Sequence, residues 1–149
     1  MSRSVIPLNV ERLERQFDST FAHAMDLIKR VATYIDGPGR MAAQSLSPAE
    51  KMVYAGESMR LTTALLEMAS WLLAWRGFRE RELSTFEVER RINKISLHEI
   101  MTLKVENVPH ELLSLMRETM TLRQRVALFD TTAKECLIES GRAERKGSS

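Results

Sequence analysis

The 149-residue chain predicts an all-α fold, an antiparallel helical bundle of three long helices plus a shorter helical segment. Two observations carry this. The four prolines and six glycines sit as punctuation between long segments. Within those segments the apolar residues recur three and four positions apart, the period of one helix face, and no pair of segments alternates as strands do. Residues 1–140 are expected to form a single bundle domain, with 141–149 as a disordered tail.

The first helix is expected from about Asn9 to Ile35. Its stripe runs through Val10, Leu13, Phe17, Thr20, Ala24, Leu27 and Val31, widened by Phe21, Ile28 and Ile35. Asn9 is a candidate N-cap, and Glu11 complements the positive end of the helix dipole. Asp36-Gly37-Pro38-Gly39 stops the helix, and Met41 to Leu46 reads as a loop. Ser47-Pro48-Ala49-Glu50 opens a second long helix, with serine as cap, proline at the first helical position and Glu50 completing a capping box. Ser84-Thr85-Phe86-Glu87 repeats that pattern and starts the shorter segment, with Val88, Ile92 and Ile95 on one side. Leu97 to Val105 fits a helical extension, a bend or an irregular connection. Pro109 then begins the last long helix, where Leu112, Leu115, Thr119, Leu122, Val126, Phe129 and Ala133 keep heptad spacing, and Gly141 ends the pattern.

The second long helix is apolar on more than one face. Met52, Ala55, Met59, Thr62, Leu66, Ala69 and Leu73 form one seam at alternating spacings of three and four, expected to be buried. Tyr54, Leu61, Leu65, Met68, Leu72 and Trp75 form a second, turned by roughly 115° at about 100° per residue. Gly56 lies near the first seam, where a missing side chain favours close helix approach. Trp71, with Ala64 and Ala74, falls in neither seam and lies towards Arg60 and Glu67. A large aromatic there needs a cover: the Met41–Leu46 loop, a second subunit or a partner protein.

The charges, 22 basic against 20 acidic, are mixed along the chain and give no clustered phosphate-binding surface. The single Cys136 excludes an internal disulfide and fits a reducing cytoplasm. The first ten residues hold too short an apolar run for a signal peptide, and no apolar run approaches the roughly 20 residues of a membrane span. His23, His98 and His110 lack a second histidine at metal-binding spacing, so no metal ligand is assigned. Gly37-Pro38-Gly39-Arg40 lacks the Gly-Lys-Ser/Thr ending of a phosphate loop and follows a helix. Ser47 and Ser84 serve as caps, and Cys136 lies on an apolar seam, so no catalytic or cofactor-binding residue and no cofactor are assigned.

Tyr34-Ile-Asp-Gly-Pro-Gly-Arg40, Glu57-Ser-Met-Arg-Leu-Thr-Thr63 and Ala69-Ser-Trp-Leu-Leu73 resemble, in order and spacing, the bacterial RcdA family, regulators of the degradation of the cell-cycle regulator CtrA. Val108-Pro-His-Glu-Leu-Leu through Arg125-Val-Ala-Leu-Phe-Asp130 is similar to the closing helix of that family. The resemblance covers most of residues 8–132. It implies a helical, homodimeric, non-catalytic adaptor in the cytoplasm that brings CtrA-like substrates to the ClpXP protease beside CpdR-like and PopA-like adaptors. The candidate partner or dimer surface comprises Arg60, Glu67, Trp71 and Trp75, and the candidate contacts of a flexible tail are Arg142, Arg145 and Lys146. The alternative is a structural or nucleic-acid-associated helical module using Arg12, Arg15, Arg90, Arg91 and Lys94. A small helical enzyme using Arg60 and Glu67 is a third reading.

Overall fold

The computed structural model describes residues 8–95, 97 and 108–147. Five helices follow in order: α1 (Leu8–Asp36), α2 (Pro38–Gln44), α3 (Pro48–Arg79), α4 (Thr85–Lys94) and α5 (His110–Lys146). The three long helices and the shorter α4 stand where the periodicity puts them. The addition is α2. Gly37-Pro38 ends α1 but also starts a new turn, because proline at the first helical position has no N–H to lose and a pre-set φ. The expected Met41–Leu46 loop is therefore largely helical.

The helix ends are held by local side-chain chemistry. Glu50 N–H donates to Ser47 Oγ at 3.2 Å, the serine half of the expected capping box. At α4 the box is reciprocal: Glu87 N–H donates to Ser84 Oγ at 3.2 Å, and Ser84 N–H donates to Glu87 Oε2 at 3.1 Å. Arg81 takes a left-handed backbone (φ 60°) in the turn between α3 and α4. Two boundaries differ from expectation. Asn9 lies inside the first turn of α1, which starts at Leu8. Gly141 does not end α5: no glycine takes positive φ among the described residues, and the helix runs to Lys146 through most of the expected tail. Residues 98–105, where the extension, bend or connection was expected, lie outside the described residues.

Contacts along the helices set their directions. Arg79 of α3 meets Glu14 of α1, whereas Ile35 and Thr62 share a hollow further along, so α1 and α3 are antiparallel. His23 of α1 meets Glu118 of α5, and Leu13 lies beside Cys136, so α1 and α5 are antiparallel too. It follows that α3 and α5 run the same way. The core lies along this three-helix axis, with Phe17, Leu27 and Val31 from α1, Leu61, Leu65, Met68 and Leu72 from α3, and Leu112, Met116, Leu122, Val126 and Phe129 from α5. Val88 and Ile92 of α4 are also fully buried.

One end of the bundle is closed by α2. Its Gly39 is buried, and a Cβ there would lie 2.5 Å from Tyr54 Oη and 2.6 Å from Tyr34 Cε1. Only a residue without a side chain lets α2 settle onto these two tyrosines. Gly39→Ala is expected to force the two rings or α2 apart and cost about 1–3 kcal/mol by overpacking. Thermal unfolding followed by circular dichroism should show a melting temperature lowered by roughly 3–10 °C.

Candidate interaction surface

The two seams of α3 have different fates. Tyr54, Leu61, Leu65, Met68, Leu72 and Trp75 are buried against α1, α2 and α5, as their period requires. The other seam, expected to be buried, is open: Met52, Met59, Leu66 and Leu73 are 78%, 72%, 58% and 54% exposed. Ala55 and Thr62 between them are exposed, and only Ala69 is covered. The reason is geometric. A helix packs on its neighbours over a limited arc, and α1 and α5 occupy the arc centred on Leu61, Leu65, Met68 and Leu72. The first seam falls outside it.

These four large residues stand seven positions apart, so they form one ridge along α3. Small residues flank it on both sides, Ala55 and Thr62 on one, Gly56, Thr63 and Ser70 on the other, all exposed. A Cβ at Gly56 would meet nothing within 4 Å, so the expected close helix approach at Gly56 is not made by any described part of this chain. Arg60 and Glu67 rise beside the ridge. The Arg60 guanidinium is largely exposed and donates from Nη1 to Glu57 Oε1 at 3.2 Å. The two thus stand on an open strip, and the condition for an enzymatic reading, a closed polar cavity holding both, is not met. Next to the ridge lies an apolar hollow of about 230 Å³ between α1 and α3, lined by Ile28, Ile35, Leu65 and Leu66 among others.

Trp71 is not part of this surface. It is 1% exposed and is covered by α5 of its own chain. The ring stacks on Phe129 (6.3 Å between centroids) and on Trp75 (5.9 Å), and the indole Nε1–H donates to Asp130 Oδ1 at 2.9 Å. The cover is neither the Met41–Leu46 segment nor a partner. Gly39, two residues before that segment, packs on Tyr54, about 25 Å from Trp71 along α3 at 1.5 Å per residue. Trp75 is buried as well and packs on Phe78. Neither ring offers a face to a partner. The missed signal was Asp130, a carboxylate beside the heptad residue Phe129 and the one acceptor an inward-facing indole needs.

The remaining candidates lie elsewhere. Arg142, Arg145 and Lys146 stand on the last turns of α5, where cations complement the negative end of the helix dipole. Arg12 and Arg15 are exposed on α1, and Arg90, Arg91 and Lys94 on α4. Groups of three or more possible metal ligands do not occur among the described residues.

A polar cluster ties α1 to α5. Arg30 grips both oxygens of Glu118, with Nη1 at 2.8 Å from Oε2 and Nη2 on Oε1, while Nε donates to Asp26 at 2.8 Å. His23 Nε2 lies 2.9 Å from Glu118 Oε1. The Arg30 hydrogen bonds hold the Glu118 carboxyl at about 2, well below the usual carboxylate range, although partial burial works against them. Burial raises the Tyr34 phenol, helped by Tyr54 and Glu111, and burial likewise raises the Cys136 thiol.

The fold thus defines a small all-helical bundle protein with one long apolar outer face. The chain belongs to the RcdA family: the model of the family described as "Protein of unknown function (DUF1465)" matches residues 11–144. It is similar to the crystal structure of RcdA from Caulobacter crescentus CB15, with 37% sequence identity and a TM-score of 0.66 over 78% of this chain and 89% of that one. No curated protein matches.

Glu118 makes one pH dependence explicit. Its carboxyl sits lower in the folded chain than in the unfolded one, so the unfolded state binds more protons as the pH falls. The stabilisation is complete above about pH 4.5 and is lost as the pH drops towards 2. Because the Arg30 and Glu118 side chains are 42% and 32% exposed and so screened by solvent, roughly 1 kcal/mol is expected. Urea unfolding should show Glu118→Gln less stable by that amount at pH 7, with the gap closing by pH 2.

Proposed function

We propose that this chain is a non-catalytic adaptor in regulated proteolysis that works as a homodimer. It would help to deliver cell-cycle regulators such as a CtrA-like protein to the ClpXP protease, beside CpdR-like and PopA-like adaptors. The observation that carries the reading is the 37% identity to RcdA, a regulator of CtrA degradation, over 78% of this chain. The surface chemistry supports it. An adaptor works by holding two proteins near each other, so it needs recognition faces more than a reactive centre. The outer face of α3 has the apolar length for one such contact, and the exposed faces of α4 and α5 leave room for others.

The setting that fits these partners is the cytoplasm. Consistent with it, no described helix is long and apolar enough to cross a membrane.

The test is retention of purified partners. The tagged chain, immobilised, is expected to retain a CtrA-like substrate together with ClpX and a CpdR-like protein, and deletion of its gene should lengthen the half-life of the substrate. No retained partner together with unchanged substrate turnover would contradict the adaptor reading.

A further inference from the structure

The open ridge of α3 requires an occupant, and its pattern specifies one. We infer that α3 of a second copy packs antiparallel across this face, about a two-fold axis beside Thr63. This rests on the homodimer part of the functional reading, and it adds the face, the direction and the register.

The ridge residues Met52, Met59, Leu66 and Leu73 recur every seven positions, and the grooves beside them are lined by Ala55, Gly56, Thr62, Thr63 and Ser70. Two identical helices can fit such a surface in two directions. Run in parallel about a two-fold axis, ridge meets ridge: methionine and leucine oppose their own counterparts, and the small residues oppose small residues across a gap. Run antiparallel, each large residue faces the small residues of the other helix. Leu66 then lies over Thr62 of its counterpart, and Met59 comes level with the exposed small residues near Ser70. That arrangement fills space evenly and lets the backbones approach closely. It also gives Gly56 a purpose, since its open position lies in the groove and a side chain there would narrow it.

Charge selects the same direction. Arg60 and Glu67 carry opposite signs on the same flank, seven residues apart. In a parallel pair this flank would lie against the opposite flank of the other helix, where Ala55 and Thr62 stand. No charged side chain lies on that flank between residues 55 and 69, so neither charge would find a partner. In the antiparallel pair centred beside Thr63, Arg60 of one copy faces Glu67 of the other, twice over by symmetry. The register that aligns these charges also aligns ridge with groove. Two independent features, volume and charge, therefore converge on one geometry. The apolar hollow between α1 and α3 adjoins Thr62 and Leu66, where a second copy would cover it.

Cysteine cross-linking in the full-length chain tests the geometry directly, with Cys136→Ser as background. Thr63→Cys is expected to form a disulfide-linked dimer under mild oxidation, because the two-fold axis brings this position close to itself. Gly56→Cys alone and Ser70→Cys alone are expected to stay uncross-linked. In an antiparallel pair, two copies of either position lie about 20 Å apart, far beyond the roughly 7 Å Cα separation a disulfide spans. Mixed in equal amounts, those two variants should cross-link to each other. As a second readout, Arg60→Glu should raise the dimer dissociation constant roughly tenfold, and adding Glu67→Arg should restore most of it.

Cross-linking of Gly56→Cys to itself would mean a parallel pair and overturn the inference. So would a dimer that cross-links at none of these positions, which would place the contact on another face. Neither outcome touches the adaptor reading, whose failure shows in partner retention and substrate turnover.

Discussion

Among the described residues, a 32-residue helix that is apolar around most of its circumference has two long helices, α1 and α5, and the shorter α2 and α4 beside it. That mismatch governs the rest of the structure. These neighbours cover a limited arc, the one that contains Leu61, Leu65, Met68, Leu72 and both tryptophans. What remains of the apolar surface, the ridge from Met52 to Leu73, is left facing outwards. Exposed ridges of this length are uncommon on proteins that work alone. No described part of the chain covers this face.

The covered arc is held by interactions that fix its rotation as well as its burial. The stack of Trp75, Trp71 and Phe129 joins α3 to α5, and the indole hydrogen bond to Asp130 sets the register between them. On the opposite side Arg79 reaches from α3 to Glu14 and Asp18 of α1 and lies over the Phe17 ring at 4.8 Å. These anchors lie in the second half of α3. At its start, α2 settles on Tyr34 and Tyr54 through Gly39. Rotating α3 to bury Met59 and Leu66 would break all three. The orientation of the outer ridge thus follows from contacts made on the inner one.

Much of the fold was legible in the sequence because its signals are local. Serine caps, a proline start and three-four spacing act within one or two turns, and they placed α1, α3, α4 and the start of α5. The heptad of α5 is buried from Leu112 through Ala133 as its spacing indicates. The failures were of another kind. Periodicity shows that α3 has two seams but not which one its neighbours choose, since that depends on where α1 and α5 lie. On the helix surface Arg60 and Glu67 lie close to Trp71 in angle and suggest a polar side for it. Its actual partner, Asp130, is 59 positions away and could be matched to it only through the fold. Gly141 matches the common pattern of a glycine just past a helix end, yet α5 runs through it and no described glycine takes positive φ. Of the candidate surface, the charged pair Arg60 and Glu67 lies beside the open face, whereas the two tryptophans belong to the core.

The central claim is that the outer face of α3 is built for a second copy of the same chain. Sedimentation equilibrium on the wild-type chain and on Leu66→Glu tests it most directly, because the substitution places a charge in the middle of the ridge without touching the core. The account predicts twice the chain mass for the wild type and the single-chain mass for the variant, with unchanged helix content in both. A wild-type chain that stays monomeric at high concentration, or a variant that dimerises as well as the wild type, would contradict it.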